Sequence, residues 1–153
     1  MASPQDDPVW LTTDQQKIWR SWLGAVAKID RHLDEDLRQH GLDLGEYEIL
    51  VRLSEAPDRK LRMSELAEAV RQSRSRLTHA VSRMEKRGLV TRTSAPDDRR
   101  GVIATLTDEG LELLSAAAPS HVAAVRHILV DAMSPERFAE LGRAMDAVLA
   151  VED

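Results

Sequence analysis

The chain has no cysteine among its 153 residues, and only three tryptophans, one tyrosine and one phenylalanine. Without cysteine there are no disulfides, no thiolate metal sites and no thiol-based redox sensing. So few aromatics favour helix over sheet. The start, MASPQDDPVW, lacks a basic segment followed by an apolar one, so no export signal is expected. No apolar run reads as long enough to span a bilayer, and a cytoplasmic protein without membrane association is expected. There is no G-x-S-x-G, phosphate loop or dinucleotide fingerprint, and the carboxylates are scattered. None of the five histidines (His32, His40, His79, His121, His127) stands four residues from another. An enzyme, a cofactor and a metal site are therefore not expected. With no repeat, low-complexity tract or linker, residues 1–153 read as one domain.

What the chain does have is a lopsided charge distribution. Residues 59–100 carry 12 basic and 5 acidic side chains, while 1–58 carry 6 and 12 and 101–153 carry 3 and 9. A basic middle between acidic ends points to a polyanionic partner.

Apolar residues recur at helical steps (Ile18, Trp19, Trp22, Leu23, Val26, Ile29, Leu33, Leu37), predicting a helix from Thr13, with Thr13 as cap and Gln16 as its partner, to about His40. At roughly 40 Å it is long for a small domain. LDLGEYEILVRLSEAP reads as a second helix between Asp43 and Pro57, and MSELAEAV as a third capped by Ser64. RQS interrupts, and RSRLTHAVSRMEKRG is a fourth helix capped by Ser73, with Gly88 just past its end. LVTRTS and VIATLT form a hairpin joined by APDDRRG. A fifth helix follows Thr107 to about Met133 with a kink expected at Pro119, and a sixth starts at Ser134 and Pro135.

Two short helices joined by a tight turn, the second basic outside and apolar inside (Leu77, Ala80, Val81, Met84), form a helix-turn-helix. A DNA major groove admits one such helix, whose N-terminus offers free N–H groups to phosphate. The hairpin follows directly and carries Asp98, Arg99 and Arg100, as a wing whose arginine enters the adjacent minor groove. Asp98 is expected to accept from the Arg100 guanidinium and aim it, and Asp97 to serve the turn. Lys86, Arg87 and Arg92 are expected to reach phosphates.

DRRGVIATLT fits the wing pattern D-x-R-x-x-x-V-x-L-T at Asp98, Arg100, Leu106 and Thr107, with Ala104 in place of valine. Together with MSELAEAV and SRSRLTHAVSRMEKRGLVTR, it makes the chain resemble the MarR family (multiple antibiotic resistance regulators) over nearly its whole length. The resemblance implies a mainly α fold with a small β-hairpin wing. The winged helix-turn-helix would occupy 42–107 and a helical dimerisation region 8–41 and 108–153. It also implies a homodimer binding a pseudo-palindromic operator in double-stranded DNA and repressing nearby genes. On matching positions, Ser73, Arg74, Ser75, Arg76, Thr78, His79 and Arg83 would read or position the DNA, beside Asp98, Arg99 and Arg100. Many relatives release DNA on binding a small aromatic or phenolic effector between the dimer helices and the winged part. Trp19, Trp22, His32 and Tyr47 are the candidates here, in a cleft lined by the first, second and fifth helices. A peroxide sensor built on a first-helix cysteine is excluded. The competing reading is a helical protein-interaction module that keeps the fold without binding an operator; only the DNA reading needs Arg100.

Overall fold

The computed structural model describes residues 9–70 and 72–152. Among these residues six α-helices and three strands follow in the order α1 (Thr13–Arg38), α2 (Leu44–Glu55), β1 (Lys60–Arg62), α3 (Met63–Val70), α4 (Arg74–Lys86), β2 (Val90–Ala95), β3 (Asp98–Leu106), α5 (Asp108–Val125) and α6 (Pro135–Leu149). The fold is mainly helical, with the antiparallel sheet ordered β1-β3-β2.

The core lies where α2, α3 and α4 meet the base of the hairpin. Ile49, Leu50, Leu53, Leu66, Val81, Met84 and Val90 are fully buried there. The helix-period stripes of the sequence explain it, since each short helix can hide its apolar side only against the others. α1 joins this core at its C-terminal end through Leu37, with Leu33 buried one turn before it. Its first half leaves Ile18, Trp19, Trp22 and Leu23 exposed, and α6 buries nothing in the single chain.

Several expectations shift. T-T-D-Q-Q offers two overlapping capping frames, and the helix takes the earlier: Thr12 caps α1, with Gln15 returning a hydrogen bond. Ser64 lies inside α3 rather than capping it. β1 runs straight into this helix, and Glu65 accepts from the Arg62 N–H at 3.0 Å instead. The third strand was not anticipated, because three residues, KLR, carry no readable alternation. α5 runs on through Pro119, which has no N–H to donate to Ser115, and the α-helix passes into a π-helical turn at Arg126–Val130. The expectation that no apolar run is long enough for a bilayer is also corrected. Asp108–Val130 is a continuous 23-residue helical stretch long and apolar enough to cross one. Part of that apolarity is used inside the fold, where Leu114, Ala117 and Ala124 are buried and α5 packs on α1 and α2. The chain start read for an export signal (1–8) and the first residue of the expected break at 71–73 lie outside the described residues.

Candidate nucleic-acid interface

α4 forms because Ser73 accepts the Arg76 N–H at 3.2 Å and Leu77, Ala80, Val81 and Met84 bury one side of it. Three- and four-residue spacing then leaves Arg74, Ser75, Arg76, Thr78 and His79 exposed together on the outer side. Two hydroxyls, of Ser73 and of Thr78, are already engaged. Ser73 Oγ caps the helix, and Thr78 donates back to the Arg74 carbonyl at 2.8 Å. Thr78 therefore meets a partner with its methyl group and an oxygen that can only accept.

Gly88, in the left-handed region at φ 75°, turns the chain from α4 into the hairpin. The sheet register pairs Ala95 with Asp98, so the connection shrinks from APDDRRG to Pro96–Asp97. Arg99 and Arg100 belong to β3, next to an irregularity at Ser94/Ala95. Between the pairs Ser94–Val102 and Ala95–Asp98 the register slips, and residues 99–101 have no partner residue in the ladder. Both arginines are exposed.

Asp98 departs from its expected role, whereas Asp97 keeps its place in the turn and gains a partner. Asp98 accepts from the Arg100 backbone N–H at 2.9 Å, fixing the main chain rather than the guanidinium. Asp97, expected only to serve the turn, accepts from Arg62 Nη2 at 2.6 Å.

The arginines of the basic segment fall into two sets. Arg59 pairs with Asp108 at 2.9 Å, Arg62 with Asp97, and Arg92 with Glu85 at 3.0 Å. Glu46, the buried carboxylate of α2, lies 3.5 Å from Arg83 and 3.8 Å from Arg87. Arg83 also approaches Asp43 at 3.8 Å, and Arg87 donates to the Gly41 carbonyl at 2.8 Å. Arg83 thus turns toward α2, and Arg87 and Arg92 are tied to partners within the chain, Arg87 to Gly41 and Glu46 and Arg92 to Glu85 and Ser82. The hydrogen bond from Arg92 pulls the Glu85 carboxyl below its ordinary range. Arg74, Arg76, Arg99 and Arg100 have no ion pair among the described residues. Between α4 and the wing lies a cleft of about 280 Å³ lined by Arg62, Arg74, Thr78, Arg92 and Arg100. Sequence reading missed Arg62, since its place depends on the unforeseen strand.

Residues 40–101, which hold both short helices and most of the wing, match the MarR family model. Over 95% of its length the chain is 46% identical to Sco3205, a MarR family transcriptional regulator from Streptomyces coelicolor solved in complex with DNA, covering 91% of that chain at a TM-score of 0.90. The chain belongs to the MarR family. A second MarR family regulator from the same organism, AbsC, is 43% identical with a TM-score of 0.87, over 93% of this chain and 96% of that one. Among curated relatives, the HTH-type transcriptional regulator MhqR of Bacillus subtilis (strain 168) is 27% identical over 119 residues, 78% of this chain and 81% of its own. Membership places this protein among transcriptional regulators and not among enzymes.

In this MarR family chain the four effector candidates do not share a cavity. Trp19 and Trp22 line an apolar groove of about 450 Å³ between α1 and α6, with Leu11, Ile18, Met145 and Val148. His32 sits with its ring 5.6 Å from that of His127, beside Asp36 and Ser120 at the α1–α5 junction, around a cavity of about 520 Å³. Tyr47 is buried in the α2–α5 seam, its ring 4.2 Å from His121. Burial, and then the Asp36 charge, raise the Tyr47 pKa above 10.0. Burial lowers the His121 pKa below 6.5 while Asp36 pulls the other way. His40 Nε2 is 3.0 Å from Ser120 Oγ, which donates to Asp36 at 3.2 Å. Among the described residues no cluster of three or more histidine and carboxylate side chains could hold a metal ion.

Proposed function

We propose that this regulator is a homodimer that binds a pseudo-palindromic operator in double-stranded DNA and represses nearby genes. The observation that carries the reading is the sorting of the arginines. Carboxylates hold one set as framework, while Arg74 and Arg76 on α4 and Arg99 and Arg100 on the wing stay exposed, with Arg74 and Arg100 facing each other across one cleft. Four exposed arginines without an ion pair among the described residues, in an acidic protein, suit phosphate. In this reading the exposed face of α4 enters the major groove. Arg74, Ser75, Arg76, Thr78 and His79 meet bases and backbone, Ser73 offers its hydroxyl proton to a phosphate, and Arg100 enters the minor groove with Arg99 beside it. Asp98 and Arg83 act from behind, one fixing the Arg100 backbone and the other holding α4 against α2. That Sco3205 was solved in complex with DNA supports the same conclusion.

The apolar α1–α6 groove supports the dimer, because Trp19, Trp22 and Ile18 are covered when a second copy presents the same face. Release belongs to a small aromatic or phenolic effector seated at the α1–α5 junction, with His32 at its rim and Tyr47 behind. Trp19 and Trp22 belong to the dimer seam instead. Such a protein works in the cytoplasm, where its DNA is.

Selection of bound duplexes from a random pool tests the reading. Enrichment of an inverted repeat with half-sites one helical turn apart is expected. A folded dimer that enriches nothing at moderate salt would overturn it in favour of a protein-interaction module.

A further inference from the structure

β1 supports the wing only part of the way. Its last residue, Arg62, pairs with Ile103, so β3 from Asp98 to Val102 projects past the end of its neighbour. A two-stranded ribbon without a third strand twists and flexes freely. The side chain of Arg62 takes over where its strand stops. It runs toward the tip and donates to Asp97 Oδ1 at 2.6 Å, and its own backbone is fixed by Glu65 at 3.0 Å. It passes so close to Gly101 that a β-carbon there would lie 2.5 Å from Arg62 Nη1. Glycine at 101 therefore keeps the path open. The chain Glu65–Arg62–Asp97 links the first turn of α3 to the wing tip, across the cleft into which Arg100 reaches.

We propose that Arg62 is a positioning residue for DNA binding, a strap that sets the wing's angle to α4 and so determines where Arg100 arrives; this rests on the DNA reading above. Asp97 is part of the device. As an acid at the tip of a DNA-facing wing it repels phosphate, so without the strap its removal would tighten binding. With the strap, its removal loosens the wing and weakens binding.

The sign of one substitution therefore decides the matter. Asp97→Asn keeps a good turn residue while abolishing the charge. Affinity for the selected operator should fall about fivefold, the scale of one exposed ion pair. Minor-groove protection against hydroxyl radicals should fade while contacts in the major groove persist. Gly101→Ala, which pushes Arg62 aside without altering any charge, should act in the same direction. The exchanged pair, Arg62→Asp with Asp97→Arg, should recover slow amide exchange at residues 98–102 in the free protein, where Asp97→Asn exchanges faster. Unchanged or tighter operator binding by Asp97→Asn, or unchanged exchange at 98–102, would overturn the strap. Failure of the native protein to bind any duplex would instead overturn the DNA reading, while amide exchange still reports on the strap.

Discussion

The outer face of α4 and the face shared by α1 and α6 are both exposed, yet water satisfies one and not the other. Arg74, Ser75, Arg76 and His79 are hydrated at no cost in the free chain. Trp19 at 52% exposed, Ile18 at 69% and Val148 at 63% are not, and each is worth about 1.5–3 kcal/mol when covered. In the proposed dimer the first surface waits for an occasional partner, and the second needs a constant one. The difference lies in chemistry, since exposure is common to both.

Breaking the constant partnership should have the largest effect. Ile18→Glu combined with Trp22→Glu places charges on both sides of a two-fold seam. Sedimentation should show a monomer at micromolar protein, and binding to a full palindrome should weaken more than a hundredfold. A dimer that survived would put the seam elsewhere. On the polar face, Arg100→Ala should leave sedimentation unchanged and cost about 1–3 kcal/mol of operator affinity. It should also lower the salt dependence of binding by about one counterion. If affinity were unaffected, the wing would have no part in recognition.

Between the two surfaces lies the contact that fixes α4 to α2. Glu46→Ala removes a buried carboxylate that faces Arg83 and Arg87 and accepts the Asp43 N–H at 3.2 Å. Stability should drop by about 2 kcal/mol, read as a lower melting temperature. A change within 0.5 kcal/mol would reduce the contact to a surface ion pair. The smallest effect concerns acid. Burial holds the His121 pKa below 6.5, so the contribution of this group to stability is full above pH 6.5 and declines as pH falls toward the depressed value. His121→Gln should flatten that part of the stability profile. Identical acid slopes in the two proteins would assign the decline to other groups.

Local chemistry made much of this protein readable. The caps at Asp43, Ser73 and Ser134, the buried stripe of α4 and the glycine that ends it depend on residues a few positions apart, and the structure keeps them. The same holds for the family resemblance, carried by the short run from Asp98 to Thr107. The partners of Arg62, Arg83, Arg87 and Arg92 were not readable as a set, because Arg62–Asp97 and Arg87–Gly41 join residues 35 and 46 positions apart. The sequence determined how much positive charge the segment 59–100 carries. Only the tertiary structure decided which arginines meet a carboxylate and which remain free. Ion pairing depends on distances of a few ångströms between chain segments that come together only when the core closes.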